Sequence, residues 1–219
     1  MKYLFKLLFI FSYSFSFSQT FDIERNGDAA GDEFGHSVSM SADGGVFAVS
    51  SRYNDDNGLN SGKVQVYQFI TGSGWLTKGS AITGDTNGIE DGHSISLSAD
   101  GNIIAISSIK KNSATGQVKV FSWDGSAWSQ RGSDIDGDSN GDWFGQSVSI
   151  SHDGNTLAIG SPKNNSNTGL VKTFKWIGGS WNQVGSDITG DATGDNFGYS
   201  VSISADGKIV SSGAYNSSY

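Results

Sequence analysis

The amino-acid sequence predicts an all-β fold, and three observations support this prediction. A motif of the form Gly-Asp-x-x-Gly-Asp-x-Phe-Gly-x-Ser-Val-Ser begins at Gly27, returns in degraded form at Gly84, and returns nearly intact at Gly137 and Gly190. The segments that follow each motif alternate large and small side chains with the two-residue period of a strand. No segment shows the longer 3.6-residue period of an amphipathic helix. We therefore expect one strand-rich unit that is copied several times.

The spacing of the copies indicates how these units assemble. The glycine near the end of each motif recurs at intervals of 57, 53 and 53 residues, at Gly35, Gly92, Gly145 and Gly198. Repeats of about 50 residues are typical of propeller blades and arrays rather than of helical solenoids.

The first predicted strand of each copy has two unequal faces. In the first copy, Phe34, His36, Val38 and Met40 share one face. The opposite face carries only small residues, Gly35, Ser37, Ser39 and Ser41. The third and fourth copies repeat this scheme from Phe144 and from Phe197.

A hairpin and a second strand follow in every copy. Each predicted turn contains an Asp-Gly pair between two apolar strands, which is a strong signal for a tight hairpin. The turns lie at 42–45, 99–102, 152–155 and 205–208. The second strands are predicted at 46–50, 103–107, 156–160 and 209–213, and they keep the split between a large and a small face.

Two further strands complete each full copy. Third strands are predicted at 62–67, 116–121 and 169–174. A tryptophan, a glycine and an isoleucine mark the final segment, with the tryptophans at Trp75, Trp128 and Trp181. The fixed place of these tryptophans indicates that they pack within the blades, rather than stack on sugar rings.

Four antiparallel strands in about 50 residues are the content of one blade of a β-propeller. The two-faced strands supply a physical reason, because the large face of one blade can pack on the small face of the next. A pair of sandwich domains or a β-solenoid is a less favoured alternative, since neither repeats one hairpin pattern at this spacing. We expect about three and a half blades in an incomplete ring, with repeats at about 27–83, 84–136, 137–189 and 190–219, and we expect the chain to be part of a longer one.

The bulk properties narrow the location and the partners. Residues 1–18 have the basic start, apolar centre and small-residue exit of a signal peptide, which predicts secretion or display at the cell surface. The remaining residues, 19–219, contain no run of the roughly 20 apolar residues that span a membrane. The chain has no cysteine and a formal net charge of −8. This charge argues against a nucleic-acid partner, because phosphate binding depends on clustered lysine and arginine.

The repeat resembles a known family. The run Phe-Gly-x-Ser-Val-x-x-Ser-x-Asp-Gly, the turn at 160–162 and the pattern Gly-x-Val-x-x-Phe are similar to the FG-GAP repeats of integrin alpha-subunit propellers and of their bacterial secreted relatives. The resemblance covers about Asp22 to Tyr219. The second copy departs from the pattern, because Ile89 replaces an aspartate and Asp91 replaces the phenylalanine.

The resemblance implies a module that binds a protein or glycan ligand outside the cell through one face of the propeller. Many integrin-type blades hold calcium in a longer first hairpin turn with several carboxylates. The turn here offers only Asp43, whereas calcium takes six to eight oxygen ligands. The metal site of the family is therefore not expected in this turn, and the Asp-Gly pair is explained by turn chemistry.

The inter-blade loops carry a second candidate for metal binding. Pairs of aspartates four residues apart recur among glycines, and such pairs can contribute to a calcium site. The pairs are Asp28 with Asp32, Asp138 with Asp142, and Asp191 with Asp195. The alternative is that these side chains cap backbone amides. We favour that alternative because Ile89 cannot be a ligand; no cofactor is predicted, and calcium stays open.

The loops after the second strands are the predicted binding surface, because rigid scaffolds usually present recognition residues on variable loops. Solvated loops without a partner are the alternative. The candidate residues are Arg52, Tyr53, Asn54, Asp55, Asp56, Lys110, Lys111, Asn164 and Asn165.

No catalytic site is predicted, because the sequence has neither a cysteine nor a Gly-x-Ser-x-Gly elbow, and no histidine stands uniquely beside an acid. His36 and His93 take equivalent positions that Gln146 and Tyr199 fill in other copies, so a histidine ligand set is not expected. We therefore expect a non-catalytic interaction or adhesion module. A calcium-dependent carbohydrate or matrix binder and a structural spacer of a larger surface protein are the alternatives.

Overall fold

The computed structural model describes residues 25–217, so the predicted signal peptide at residues 1–18 lies outside the described residues. Three five-stranded antiparallel sheets and one two-stranded sheet follow each other along the chain. This arrangement confirms the predicted all-β fold and its division into successive four-stranded blades, with the last blade represented by two strands.

The first two blades have the same order of strands, and blade 2 adds a one-turn helix after its second strand. Blade 1 contains β1 (Phe34–Met40), β2 (Val46–Ser51), β3 (Lys63–Ile70), β4 (Gly74–Thr77) and β5 (Ile82–Thr83). Blade 2 contains β6 (Ile95–Leu97), β7 (Ile103–Ser108), the one-turn α1 (Lys111–Ala114), β8 (Gln117–Trp123), β9 (Trp128–Gln130) and β10 (Ile135–Asp136).

The last two blades continue the pattern. Blade 3 contains β11 (Ser147–Ile150), β12 (Thr156–Ser161), the one-turn α2 (Asn164–Asn167), β13 (Leu170–Ile177), β14 (Ser180–Gln183) and β15 (Ile188–Thr189). Blade 4 contains β16 (Phe197–Ile203) and β17 (Val210–Ala214).

The fourth strand of each complete blade is interrupted. In blade 1, β4 and β5 both pair with β3, through Phe69 opposite Trp75 and through Val64 opposite Ile82. Between them the chain turns at Gly79, whose φ is 78°. The sequence analysis predicted a single final strand that contains the tryptophan and the isoleucine. In the structure, this glycine turn divides the segment into two short strands.

The Phe-Gly pair does not extend the first strands regularly. Gly145 has a φ of 91°, and the N–H of Gln146 donates to the Trp143 carbonyl at 3.0 Å. This turn delays the start of β11 to Ser147, although the alternation predicted a strand from Phe144. In β1 the same position carries a register shift between Phe34 and Val38.

The strands β1, β6, β11 and β16 lie side by side at the inner edge of successive blades. They are joined by hydrogen bonds from the backbone of one blade to serine side chains of the preceding blade. The N–H of Ile95 donates to Ser37 Oγ at 3.1 Å, and the N–H of Leu97 donates to Ser39 Oγ at 2.9 Å. Inner strands that follow each other around an axis, with outer strands pointing away, make a partial β-propeller.

The hydrophobic core lies between the blades rather than inside any one of them. One cluster joins Val64 and Val66 of blade 1 to Ile104 and Ile106 of blade 2. A second cluster joins blade 2 to blade 3, and it contains Val118, Val120, Leu157 and Ile159. These clusters confirm that a large face packs on a small face, but the direction is the reverse of the predicted one, because the large face of each blade covers the small face of the preceding blade.

Cations at the end of β4 and β9 also connect neighbouring blades. Arg131 donates to the Gly154 carbonyl at 2.7 Å and to Asn155 Oδ1 at 2.6 Å, both in the hairpin of blade 3. Its guanidinium lies 4.6 Å from the centre of the Trp176 ring. Trp181 Nε1 in turn donates to the Arg131 carbonyl at 2.9 Å. This contact confirms the predicted packing role of Trp181.

The same arrangement joins blade 1 to blade 2. Lys78 Nζ donates to the Gly101 carbonyl at 2.8 Å and to Asn102 Oδ1 at 2.7 Å. Trp128 Nε1 donates to the Lys78 carbonyl at 2.8 Å. Trp128 is therefore a packing residue as well.

The Asp-Gly hairpins follow the predicted turn chemistry. Asp43 Oδ1 accepts hydrogen bonds from Ser41 Oγ at 2.7 Å and from the N–H of Gly45 at 2.8 Å. These hydrogen bonds lower the pKa of the Asp43 carboxyl, with the one from Ser41 as the largest cause. Gly44 has a φ of 72°, a conformation that glycine adopts at little cost.

Candidate functional site

The loops after the second strands meet the inter-blade loops at one end of the blades. The N–H of Trp143 donates to the Ala114 carbonyl at 3.1 Å, and the N–H of Asn196 donates to the Asn167 carbonyl at 2.7 Å. We call this surface the loop face. It comprises residues 52–62, 109–116 and 162–169 together with the inter-blade residues 27–33, 84–90, 137–143 and 190–196.

The loop face contains unusual backbone conformations. The residue before each Phe-Gly position has a φ between 54° and 58°, at Glu33, Glu90, Trp143 and Asn196. Non-glycine residues rarely adopt this left-handed region, and such positions occur often at binding sites. The one-turn segments α1 and α2 likewise contain left-handed residues, including Ser113 and Ser166.

Arg52 organises the part of the loop face that belongs to blades 1 and 2. Its Nε donates to Glu33 Oε2 at 2.6 Å, and its guanidinium lies 4.5 Å from the centre of the Tyr53 ring. Its Nη1 lies 3.4 Å from His93 Nδ1, and the rings of His36 and His93 are 5.2 Å apart. The sequence analysis predicted that the two histidines are variants at equivalent repeat positions. The structure shows that they are also direct neighbours.

The electrostatics of this cluster disfavour the protonated form of both histidines. Burial, the charge of His36 and the charge of Arg52 lower the pKa of His93 to about 4. Burial is also the main cause that lowers the pKa of His36, and Arg52 adds to it. The hydrogen bond from Arg52 lowers the pKa of Glu33. Arg52 and Glu33 consequently form an ion pair in which each charge compensates the other.

A second cluster contains two lysines and a tryptophan. Lys110 Nζ lies 5.3 Å and Lys163 Nζ lies 5.2 Å from the centre of the Trp143 ring. Lys163 Nζ also donates to Asn196 Oδ1 at 3.1 Å. Within residues 25–217, neither lysine has a carboxylate oxygen within 4.0 Å, unlike Lys63, Lys111, Lys119, Lys172 and Lys208. We call these three residues the Lys-Trp-Lys cluster.

The other candidates in the loop of blade 1 are used within the loop. Asn54 is buried, and its Nδ2 donates to Asp32 Oδ2 at 2.8 Å. Asp55 is exposed and accepts the N–H of Asn60 at 2.7 Å. Asp56 is exposed and pairs with Lys63 at 2.6 Å. Asn54 thus supports the loop from inside, whereas Asp55 and Asp56 lie at the surface and each already has a partner in the chain.

The candidates in the loops of blades 2 and 3 also divide into two groups. Lys111 Nζ lies 3.8 Å from Asp85 Oδ2, and Asn164 Nδ2 donates to Asp142 Oδ2 at 2.8 Å. Asn165 is exposed in a left-handed conformation with a φ of 47°. Of the three cationic candidates, Arg52 and Lys111 each pair with a carboxylate, whereas Lys110 has no carboxylate partner within residues 25–217.

The second aspartate of each inter-blade pair is buried and serves the loop. Asp32 accepts from Asn54, Asp142 accepts from Asn164, and Asp195 Oδ2 accepts the N–H of Ala192 at 2.9 Å. The prediction that these aspartates cap backbone amides holds for Asp195, the one member of these three that accepts a backbone N–H within residues 25–217. The other two aspartates bind asparagine side chains from the neighbouring loop.

The first aspartate of each pair is exposed. Asp28 Oδ2 pairs with Lys63 at 2.7 Å, and Asp138 Oδ1 pairs with Lys172 at 2.7 Å. Asp191 is exposed as well. Across residues 25–217, no group of three or more acidic, histidine or cysteine side chains has the arrangement of a metal site.

Asp91 is a buried acid at the junction of blades 1 and 2. It takes the place of the phenylalanine found in the other copies, and it is 4% exposed. Ser108 Oγ donates a hydrogen bond to its Oδ1. Burial raises the pKa of Asp91 to about 7, although the charge of Lys119 opposes this rise.

Sequence reasoning missed Trp143 and Lys163 as surface residues. Trp143 stands at the variable position before Phe-Gly, where the other copies have glutamate or asparagine. A tryptophan at a position that is otherwise polar was the available signal. The contact between Trp143 and Lys163 depends on how adjacent blades stack, and the sequence alone does not reveal the distance between the two residues.

A profile described as "FG-GAP repeat" matches residues 17–67 and 128–171 of this chain. A search of curated proteins found no match. No helix among residues 25–217 has the length and apolar character needed to cross a membrane.

Solved structures resemble this chain at low sequence identity. A candidate 6-phosphogluconolactonase from Bacteroides uniformis has a TM-score of 0.55 and 16% identity, over 81% of this chain and 46% of that protein. Hydrazine synthase from Kuenenia stuttgartiensis has a TM-score of 0.52 and 16% identity, over 80% and 42%. TolB from Acinetobacter baumannii has a TM-score of 0.47 and 15% identity, over 84% and 39%. The chain thus spans less than half the length of these proteins, and the likeness concerns the fold alone.

Proposed function

Since this chain is an FG-GAP repeat protein with the fold of a partial β-propeller, we propose that it is a non-catalytic interaction module. It acts outside the cell or at the cell surface and binds a protein partner through its loop face. The signal-peptide pattern of residues 1–18 supports the location.

The Lys-Trp-Lys cluster is the observation that carries this proposal. Tryptophan contributes a large share of the binding energy at many protein interfaces, and charged side chains around it add specificity for a partner of opposite charge. Lys110 is exposed, Lys163 and Trp143 are half-buried, and neither lysine has a carboxylate partner within the described chain. A partner that brings carboxylates to this cluster supplies the missing counter-charges. We therefore infer a protein ligand with an acidic contact segment.

A left-handed tryptophan supports the same site. Trp143 has a φ of 56°, which costs energy in a residue with a large side chain. The hydrogen bond from its N–H to the Ala114 carbonyl holds this conformation. The indole is consequently positioned before a ligand arrives, and pre-organisation of this kind reduces the entropy cost of binding.

A glycan ligand is the second candidate. An open groove of about 240 Å³ is lined by Phe121, Ala127 and Trp128, and aromatic rings at a groove suit contact with a sugar face. Trp128 also uses its Nε1–H for the packing contact with Lys78. This groove lies away from the Lys-Trp-Lys cluster, so the two candidates respond to different substitutions.

The test is titration of the purified chain with a fluorescein-labelled glutamate-rich peptide, followed by anisotropy. The variant Lys110→Glu with Lys163→Glu is expected to weaken binding about tenfold or more, which corresponds to about 1.4 kcal/mol. Intrinsic tryptophan emission reports directly on Trp143 during the same titration.

The control variant carries Lys175→Glu and Lys208→Glu, which change the net charge equally at exposed positions outside the loop face. We expect it to bind as the unmodified chain does. Equal loss in both variants would show unspecific attraction by charge. Absence of peptide binding, with a response to Trp128→Ala in a glycan assay, would favour the second candidate.

A further inference from the structure

The groove between the outer parts of blades 1 and 2 has two walls that belong to different blades. Residues 80–82 of blade 1 form one wall, and Phe121 with residues 126–128 of blade 2 forms the other. None of these lining residues carries a charge. The volume of the groove is about 240 Å³, which is below the roughly 300 to 1,000 Å³ of sites for drug-sized ligands. The groove therefore suits a single ring.

A glycine turn brings the two walls together. Gly79 has a φ of 78°, and a Cβ on it would lie 2.5 Å from a ring atom of Trp123 and 3.4 Å from one of Trp128. The chain passes this close to the two tryptophans because glycine has no side chain. The Lys78 carbonyl, just before the turn, accepts the Nε1–H of Trp128 at 2.8 Å. The indole of Trp128 is consequently fixed beside the blade 1 wall.

The wall of blade 1 departs from the repeat at two positions. In blades 2 and 3 a glutamine donates a 2.7 Å hydrogen bond to an aspartate, from Gln130 to Asp134 and from Gln183 to Asp187. Thr77 and Ala81 take these places in blade 1. Both members of the pair change together, so a methyl group lines the groove where the other two blades place a carboxylate.

The wall of blade 2 is held by an aspartate turn. Asp124 Oδ1 accepts the N–H of Ser126, the hydroxyl of Ser126 and the N–H of Ala127, each at 2.8 Å. These hydrogen bonds lower the pKa of the Asp124 carboxyl, with the one from Ala127 as the largest cause. In blade 3, Ile177 takes the place of Asp124. The turn of blade 2 is therefore ordered before binding, which lowers the entropy cost of holding a ligand.

The lining favours a neutral ring with two apolar faces and a polar edge. A hexopyranose whose hydroxyl groups are all equatorial has only C–H bonds on its two faces, while its hydroxyls point outward along the edge. Such a ring can lie between the indole of Trp128 and the methyl group of Ala81, because aromatic faces pack well on apolar surfaces. Its edge then meets the hydroxyls of Ser80 and Ser126. A charged ligand would lose hydration without gaining a counter-charge from the lining residues.

We propose that this groove binds one residue of a neutral β-linked saccharide, with an all-equatorial hexopyranose ring held between Trp128 and Ala81. The glycan candidate of the proposed function is the basis of this assignment, which adds the class of sugar and the residues that select it. The loop face takes no part in it, so a protein partner of the Lys-Trp-Lys cluster is tested separately.

The experiment titrates the isotope-labelled protein with cellotriose, a neutral trisaccharide of β-linked glucose, and follows the indole N–H signal of Trp128 by NMR. Trp128→Phe assigns that signal. We expect a saturable shift with one binding site. The variant Thr77→Gln with Ala81→Asp gives blade 1 the pair that blades 2 and 3 already contain, so we expect it to fold. It is expected to bind cellotriose about tenfold more weakly or worse, because a carboxylate then occupies the groove.

The control variant is Leu76→Gln with Asn182→Asp, which makes the same change in net charge at exposed positions of outer strands. We expect it to bind cellotriose as the unmodified chain does, and melting curves establish that both variants are folded. Titration with N-acetyltyrosinamide tests a planar aromatic ring as the occupant. No binding of cellotriose, or tighter binding of the aromatic probe, would overturn the proposal. Cellotriose binding that survives Thr77→Gln with Ala81→Asp would refute this groove as the site and leave the glycan candidate standing.

Discussion

The side-chain amide of Asn164 donates a 2.8 Å hydrogen bond to the buried carboxylate of Asp142. The same pair recurs in blade 1, where Asn54 donates to Asp32 at 2.8 Å. Each asparagine lies in the loop after a second strand, and each aspartate lies in the inter-blade loop before that blade. These pairs fasten the two halves of the loop face to each other.

In blade 2 both members of the pair change together. Ile89 takes the place of the aspartate, and Lys111 takes the place of the asparagine. A lone asparagine opposite an isoleucine would leave a polar group without a partner, which is costly in a buried setting. The joint change is what a structural hydrogen bond requires, and it accounts for Ile89 in the second copy of the motif.

Asp142→Ala is expected to lower the free energy of unfolding by about 1 to 3 kcal/mol, because it leaves the Asn164 amide without its acceptor. The double variant with Asn164→Ala is expected to cost less than the sum of the two single variants. Urea denaturation measures all four proteins of this cycle. Melting in EDTA and in calcium provides the control, and a calcium-dependent rise in Tm that disappears in Asp142→Ala would contradict the structural role.

Asp91 is expected to make the fold less stable as the pH rises. Its pKa is about 7 in the fold against 3.8 for the ordinary carboxyl, so the folded state retains a proton that the unfolded chain has already lost. Stability is full below pH ~4, declines between pH ~4 and ~7, and stays constant above that range. The total loss corresponds to about 4 kcal/mol.

Asp91→Asn removes the titrating group and keeps a side chain that can bond to Ser108. We expect its unfolding free energy to exceed that of the unmodified chain at pH 8, and the difference to shrink at pH values near 4. Asp206→Asn, at an exposed turn, serves as the control. A difference between Asp91→Asn and the unmodified chain that does not change with pH would refute this assignment.

Arg131 is expected to contribute strongly to the junction of blades 2 and 3. Arg131→Ala removes two hydrogen bonds to the hairpin of blade 3 and the contact with Trp176. The expected loss is about 2 to 4 kcal/mol, measured by denaturation. Arg131→Lys should recover part of it, because Lys78 makes the equivalent contacts between blades 1 and 2.

The control for this prediction is Lys175→Ala, because Lys175 is an exposed cation of blade 3. It should change stability by no more than about 0.5 kcal/mol. If both alanine variants had the same small effect, the hydrogen bonds of Arg131 would be surface contacts of little value.

Two glycines make it possible to measure the cost of backbone strain apart from the cost of a close contact. Gly116 and Gly141 have φ values of 88° and 84°. A Cβ on Gly116 would lie 2.1 Å from the Phe144 carbonyl oxygen, whereas a Cβ on Gly141 would meet nothing within 4 Å. Gly141→Ala is expected to cost about 1 kcal/mol from conformational strain alone. Gly116→Ala is expected to cost several times more or to prevent folding, and equal melting temperatures would contradict this.

Much of the fold was predictable because its determinants are local. The alternation from Val46 onward defines a strand, and the Asp-Gly pair at Asp43 defines the hairpin before it. Both signals lie within a few residues of the structure that they produce. The interrupted fourth strand was not predictable, because Gly79 turns the chain under Trp123 and Trp128 of the next blade.

The candidate site was less predictable for the same reason. Lys110 and Lys163 belong to different blades, and they meet at Trp143 only because the blades stack at a fixed angle. His36 and His93 likewise become neighbours through stacking, although their equivalent repeat positions offered the clue. Sequence reasoning identified the correct loops but not which of their side chains remain available to a partner.

The serine contacts between inner strands have a consequence for how the blade number can evolve. Neighbouring blades exchange hydrogen bonds through Ser37, Ser39 and their counterparts, rather than through a continuous backbone ladder. Each blade therefore finishes its own sheet and meets the next with the same small set of side chains. Duplication or loss of one whole repeat keeps these serine contacts at the new junction, so gene-level copying can lengthen or shorten the array while the inner strands still fit each other.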